Sequence, residues 1–274
     1  MSVPLRSVEP KPNGWGERYG AVFAEDSVVE HYGLRPPYPA ETFDVLASLA
    51  AQAAPERGVV LDAGCGPGDL ARPLASRVAR VDAVDVSAPM IARGRSLPGG
   101  DAANVRWIVA RIEEAPLDPP YALVTAGDSI HWFEWETALP LLAGVLLRDA
   151  PLAIVHREWL LEERSVFGPV YDRHSWNDDF EPLDPIEELE RRGLFERSGS
   201  HTTAPDPWRP TLDEIVHGHF SMSGFPPHRL RDRRAFEAEL GAALEETLRP
   251  QADGRYDLDV TATIVWGRPR RGGL

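Results

Sequence analysis

Residues 59–68 read Val-Val-Leu-Asp-Ala-Gly-Cys-Gly-Pro-Gly, and no other stretch narrows the fold as far. Val59, Val60, Leu61 and Ala63 make a short apolar run of the kind that forms a buried strand. Gly64, Gly66 and Gly68 follow at alternate positions, where a backbone can take positive φ and let a ligand approach closely. From Asp69 a helical pattern begins. A strand that turns through glycines into a helix is the start of a nucleotide-binding unit. The helix start offers free N–H groups and a partial positive charge, which suit the carboxylate of an amino-acid-like ligand.

The rest of the chain keeps that alternation. Trp15 to His31 reads as a helix with Tyr19, Val22, Phe23 and Val28 apolar. The loop His31-Tyr32-Gly33-Leu34-Arg35-Pro36-Pro37-Tyr38-Pro39 is extended and stiff, because its prolines forbid helix. Pro39 can open the next helix, which runs to about Ala54 with Phe43, Leu46, Leu49 and Ala50 on one face. After the glycine loop come strands at Val81 to Val86, Val105 to Ala110 and Tyr121 to Thr125, with Ser87 capping a short helix between the first two. Glu134 to Leu147 is helical, and Pro151 to Val155 is a fifth strand. Strands alternating with helices imply α/β with a mainly parallel sheet. Beyond Arg157 the rhythm changes. A mixed stretch, Trp159 to Asp184, precedes helical patterns at 185–192, 212–221 and 232–248, a strand-like Phe195 to Thr202 and an alternating strand, Tyr256 to Trp266. The expected organisation is a flexible 1–14, one domain over 15–267, and a short basic tail at 268–274. The domain has a core at 40–157 and a lid from 15–39 and 159–230.

Composition excludes several functions. The 274 residues suffice for one good-sized core with an added subdomain. Cys65 is the sole cysteine, so no intramolecular disulfide forms, which fits a cytoplasmic protein. No apolar run approaches the ~20 residues of a membrane span, and Met1 to Gly14 lacks the apolar stretch of a signal peptide. A net charge of −14 opposes a broad electrostatic hold on DNA or RNA. The expected partner is a small-molecule substrate, with no nucleic acid and no membrane, for a monomer or homodimer. His217 and His219 face different directions of a helix and read as structural or surface groups. No His/Cys cluster has metal-ligand spacing, so no metal is expected. Asp178, Asp179 and Glu181 read as a solvated loop.

Asp85 ends the second strand 21 positions after Gly64. A carboxylate there can accept hydrogen bonds from both ribose hydroxyls, in NAD and S-adenosylmethionine alike. Three features separate the two. The glycines follow G-x-G-x-G rather than the dinucleotide G-x-G-x-x-G. Asp62 stands just before the turn, where it would repel a pyrophosphate and welcome an ammonium. Lys11 is the only lysine and lies in the frayed start, which removes a Tyr/Lys dehydrogenase pair. The expected cofactor is S-adenosyl-L-methionine.

These motifs make residues 15–160 resemble the class I S-adenosylmethionine-dependent methyltransferases. Asp62-x-Gly64-Cys65-Gly66-x-Gly68 matches the family's first motif, and Asp85 with Ser87 and Met90 matches the second. Ile130-His131-Trp132-Phe133 and Arg35-Pro36-Pro37-Tyr38-Pro39 resemble a subgroup that includes the trans-aconitate methyltransferases. The resemblance implies a doubly wound, seven-stranded, mainly parallel, Rossmann-like sheet whose last strand runs antiparallel, with a small lid after the fifth strand. It implies that Asp62, Gly64 and Gly66 hold the methionine end and Asp85 the ribose. Val86 and Met90 pack near adenine, and Arg111-Ile112-Glu113 lies over its edge. Tyr32, Arg35, Tyr38, Cys65, Asp128 and Trp132 complete the expected cofactor site. Two positions depart from the pattern: relatives often carry aspartate, serine or asparagine where Arg111 stands, and aspartate where Ala122 stands.

Methyl transfer is an in-line displacement at an already activated carbon, so the protein supplies positioning and exclusion of water. A base is needed only when the nucleophile is protonated. His131, just past the fourth strand, and His156, at the end of the fifth, are the candidate bases; each also has a purely structural reading. Asp128 can hold a substrate group or cap the following turn. For a carboxylate acceptor, no base is required and Arg35, Arg157 or Arg173 would anchor it. Trp159, Phe167, Tyr171, His174 and Trp176 form either a lid or the core of an added subdomain. O-methylation of a small molecule, a secondary metabolite by resemblance, is the favoured reading. C-, N- or carboxyl-methylation, and a cofactor-binding protein without transfer (a cyclase or regulatory binder), remain open.

Overall fold

Alternation along the strands sets the two layers. β1 (Val59–Ala63), β2 (Arg80–Asp85), β3 (Val105–Val109), β4 (Leu123–Gly127) and β5 (Leu152–Glu158) are parallel. β6 (Phe195–Thr202) and β7 (Asp206–Trp208) both pair antiparallel with β8 (Leu258–Pro269), which itself runs antiparallel to β5. The order is β3-β2-β1-β4-β5-β8-β6, with β7 beside the first half of β8. Val60, Leu123, Ala153 and Ile264 face one layer; their neighbours Leu61, Val124, Ile154 and Val265 face the other. That is the period of two expected for strands covered on both faces. This computed structural model describes residues 10–56, 58–159, 164–177 and 179–270.

The helices complete the layers. N-terminal α1 (Glu17–Gly20) and α2 (Asp26–Tyr32) precede α3 (Ala40–Ala53) and α4 (Ala71–Leu74). Phe43, Leu46 and Leu49 of α3 and Leu74 of α4 pack on the first face. α5 (Ala88–Ser96) starts at Ser87, whose hydroxyl accepts from the Met90 N–H at 3.2 Å, as the sequence anticipates. α6 (Trp135–Val145) buries Trp135, Ala138, Leu139 and Leu142 on the second face. After β5 come α7 (Arg164–His174), α8 (Pro185–Arg191), α9 (Leu212–Gly218) and α10 (Arg233–Thr247). Phe167, Ile215, Phe220, Phe225, Phe236 and Leu240 form a separate core among α7, α9 and α10. Trp159 and Tyr171 pack on that core, and Trp176 packs against the N-terminal cluster around Val22 and Val28.

Five expectations change. The single helix at 15–31 is broken into α1, a 3-10 turn at Ala21–Ala24, and α2 after an extended Glu25. Gly20 is the reason for close packing there: a Cβ would lie 3.3 Å from the Trp132 ring. Residues 10–14 are docked rather than frayed. Lys11 Nζ donates to the carbonyls of His131, at 3.0 Å, and Phe133. Burial pushes the Lys11 pKa down to about 8. The acidic stretch is not merely solvated: Asp179 accepts from the Tyr19 hydroxyl at 2.5 Å, and the Glu181 carbonyl from Trp15 Nε1 at 2.7 Å. Asp178 and residues 1–9 and 271–274 lie outside the described residues. β5 runs on to Glu158 because β8 pairs with Arg157 and Glu158. Finally, β7 adds an eighth strand to the seven anticipated. No helix among the described residues is long and apolar enough to cross a membrane.

Candidate active site

The glycine loop is built as its spacing requires. Gly64, Gly66 and Gly68 have φ of 66°, 54° and 80°. The Cys65 N–H donates to the Val84 carbonyl at 2.9 Å, which joins the loop to β2. A Cβ on Gly64 would sit 2.6 Å from Ser129 Cβ, whereas one on Gly66 would meet only the Tyr32 ring at 3.6 Å or more. Gly66 therefore faces open space. Its N–H donates to Asp85 Oδ2 at 2.7 Å, and the Ser87 N–H to Oδ1 at 2.8 Å. Burial pushes the Asp85 carboxyl up, against those two hydrogen bonds. Substituting Gly64 by alanine combines a left-handed backbone with a clash, and each is worth ~1–3 kcal/mol. Urea denaturation of Gly64→Ala is expected to show a loss of at least ~2 kcal/mol; wild-type stability would refute the packing described.

A cavity of about 280 Å³ opens beside this loop at the carboxyl ends of the strands. Gly64, Gly66, Asp85, Val86, Met90, Arg111, Ile112 and Glu113 line it, as do Tyr32, Arg35, Asp128 and Trp132. Val86 presents an apolar surface, 62% exposed. Arg111 is engaged with Glu113 at 3.6 Å and Glu134 at 3.9 Å. Ala122, the second departure, is fully buried in the apolar core. Sequence reasoning missed Gly20, Ala21 and Ala24, which line the cavity with Phe23. The signal was a run of small residues on an otherwise aromatic helical stretch.

Tyr38, Asp62 and Cys65 line a second void of about 10 Å³ beneath the loop, together with Asp69 and Arg157. One water needs about that much room. Asp62 is buried; Oδ1 accepts from Thr125 Oγ1 at 2.8 Å, and Oδ2 has no hydrogen-bond partner among the described residues. Burial raises its pKa to about 7.

Asp128 joins the cavity to a buried charge network. Its backbone is left-handed, with φ of 49°. Oδ1 accepts from His156 Nδ1 at 2.8 Å, and Oδ2 accepts from the Tyr38 hydroxyl at 3.0 Å. Arg157, 4% exposed, lies 3.6 Å from Asp128 and 3.5 Å from Asp69, and donates to the Pro36 carbonyl at 2.6 Å. Burial alone would raise the Asp128 carboxyl, but the His156 hydrogen bond and the Arg157 charge hold it well below the usual range. The same hydrogen bond raises the His156 pKa.

The two candidate bases part company here. The His156 side chain is 65% exposed, next to the cavity-lining Asp128. Neither histidine lines the cavity itself, and His131 packs edge-on against Trp15 and Trp132. Burial pushes its pKa down to about 3. Arg35 uses three of its five N–H groups, on Ser221 Oγ, the Ser221 carbonyl and the Tyr32 hydroxyl. Arg173 is paired with Glu239 at 2.7 Å. His219 is buried and hydrogen-bonded through both ring nitrogens, to Tyr171 and to the Ile215 carbonyl. Among the described residues, no group of three or more His, Cys, Asp or Glu could hold a metal ion.

The site suits S-adenosylmethionine: a carboxylate at the strand end for the ribose, an apolar wall at Val86, and a left-handed glycine loop that brings the Gly64 and Gly66 backbone to the cavity. Comparison with known proteins agrees. A methyltransferase-domain family matches residues 60–148. An uncharacterized methyltransferase of Mycobacterium bovis is 38% identical over 98 residues, 35% of this chain and 49% of that protein. The chain thus spans about half the length of the curated relatives it first matches. A malonyl-[acyl-carrier protein] O-methyltransferase of Salmonella typhimurium is 29% identical over 73% of this chain and 77% of its own. A solved structure from Anaeromyxobacter dehalogenans, described as a candidate type II methyltransferase, superposes with a TM-score of 0.60 at 25% identity, covering 86% of this chain and 99% of that one. Residues 60–148 thus match a methyltransferase domain, and with its glycine loop, strand-end aspartate and strand order the chain is similar to the class I S-adenosylmethionine-dependent methyltransferases.

Proposed function

We propose that this protein transfers a methyl group from S-adenosylmethionine to an oxygen of a small molecule. S-adenosylmethionine supplies a methyl carbon on a sulfonium whose departure is neutral, so no acid is called for. Asp85 and Val86 hold the nucleoside end. The two remaining N–H groups of Arg35, which lines the cavity, suit the methionine carboxylate. The lid comes from the N-terminal helices and the elements after β5, which meet where Arg35 grips Ser221.

The observation that carries the oxygen reading is His156 on Asp128: an exposed imidazole held from one side by a carboxylate that lines the cavity. A hydroxyl acceptor needs such a base. Arg157 and Arg173, two arginines that could anchor a carboxylate acceptor, are already paired with acids. The Salmonella relative is by name an O-methyltransferase. That the acceptor is a secondary metabolite, and the protein cytoplasmic, rests on the family resemblance and the cysteine usage alone. His156→Ala is expected to slow transfer by ~10²–10⁴ while leaving cofactor affinity unchanged. Formation of S-adenosylhomocysteine with a panel of phenols, alcohols and carboxylic acids measures this. Full activity of His156→Ala on a carboxylic acid would replace the hydroxyl reading by carboxyl methylation. Absence of S-adenosylhomocysteine with every acceptor, despite tight cofactor binding, would favour a binder without transfer.

A further inference from the structure

Resting on the oxygen-transfer reading, we propose that Asp128 is a positioning residue: it fixes His156 with its proton on Nδ1, so that the bare Nε2 receives the acceptor's hydroxyl proton. The Asp128 carboxylate is in contact with groups from two segments: from β5, His156 Nδ1 at 2.8 Å and the Arg157 N–H at 3.3 Å and guanidinium at 3.6 Å, and from the proline-rich loop, the Tyr38 hydroxyl at 3.0 Å. An ionised carboxylate only accepts, so the hydrogen between it and the neutral imidazole belongs to Nδ1. Nε2 has no hydrogen-bond partner among the described residues, and the ring is 65% exposed.

The backbone supports a built arrangement rather than a chance contact. Asp128 occupies the left-handed region with φ of 49°, which non-glycine residues hold only when their surroundings impose it. Its own N–H is fixed on the Val155 carbonyl at 2.9 Å, directly before His156. Arg157 is locked in turn by the Pro36 carbonyl and by the Tyr38 ring, 4.4 Å from its guanidinium carbon. The proline-rich loop therefore sets the carboxylate, and the carboxylate sets the imidazole. In the step itself, the hydroxyl O–H bond would break, the proton would pass to Nε2, and the oxygen would keep the electron pair for its new bond to the methyl carbon, whose bond to sulfur would break with its pair left on a neutral sulfur. The imidazolium so formed faces Asp128, which stabilises it. The other charges facing His156 are Glu158, on the same strand, and Arg157; across the ladder, β8 presents the uncharged Thr263.

The test is nitrogen-15 NMR of the histidine rings in the protein without ligand, which needs no substrate. In the wild type, neutral His156 is expected as the Nδ1–H tautomer, with a pKa above the ordinary ~6.5. Asp128→Asn, a residue that tolerates the left-handed backbone, should lower that pKa by about one unit or more and mix the tautomers. Tyr38→Phe removes a competing donor and should leave the His156 pKa at or above the wild-type value. A proton on Nε2 in the wild type, an unchanged titration in Asp128→Asn, or a fall in Tyr38→Phe would each overturn the assignment. An active His156→Ala would instead overturn the hydroxyl reading while leaving these NMR results standing.

Discussion

Asp85→Ala is expected to weaken S-adenosylmethionine binding by at least ~100-fold. The carboxylate has about four lone-pair sites. The Gly66 and Ser87 N–H groups take one on each oxygen, at 2.7 and 2.8 Å, which orients the group and leaves a site on each for the ribose hydroxyls. Hydrogen bonds to a charged group contribute ~1.5–3 kcal/mol each, so losing two costs ~3–6 kcal/mol. The alanine also strips the Gly66 N–H of its partner and loosens the glycine loop. Asp85→Asn keeps the shape and one acceptor, so its loss should be smaller, about tenfold. Calorimetric titration, with circular dichroism to confirm folding, measures both. Unchanged affinity in a folded Asp85→Ala would remove Asp85 from the cofactor site, and with it the placing of the ribose.

That site was legible because its parts are local. Gly64, Gly66 and Asp85 sit at fixed offsets on two adjacent strands, and a turn that needs positive φ leaves its mark in residue type. Alternation was legible for the same reason: Leu258, Val260, Ala262 and Ile264 put a strand at 256–266, where β8 runs from Leu258 to Pro269. The polar network around Asp128 was not legible. Tyr38, Asp69, Asp128 and Arg157 come from four segments, and no spacing in the chain announces that they meet. His131 and His156 looked alike because both follow a strand. They diverge because one packs among tryptophans and the other leans on a carboxylate, a tertiary difference. Lys11 looked frayed since its stretch lacks apolar residues. What holds it is a pair of main-chain carbonyls at the end of a 3-10 turn, and carbonyls leave no sequence trace.

Arg157→Met is expected to lower stability by ~3–5 kcal/mol at pH 7.5, the cost of leaving buried charges without their partner. The guanidinium is nearly inaccessible and lies between Asp69 and Asp128. Methionine fills similar volume but donates nothing, so the Pro36 carbonyl and both acids lose a partner together. The pH dependence separates this from a simple packing defect. In the wild type the Asp128 carboxyl is held below its unfolded value, so its contribution is present above about pH 4 and is lost as pH falls through the depressed folded value. In the variant, Asp128 lacks the Arg157 charge and protonates more readily. His156, whose pKa is raised, is charged at pH 4.5 and takes over part of the compensation. The gap between variant and wild type should therefore narrow from pH 7.5 to pH 4.5 in urea denaturation. A second substitution, Asp128→Asn, should restore part of the loss at pH 7.5 by removing the stranded charge. A gap that stays constant with pH, and a double variant weaker than the single one, would mean that Arg157 acts through packing. The proline-rich loop would then be held by contacts other than the buried ion network.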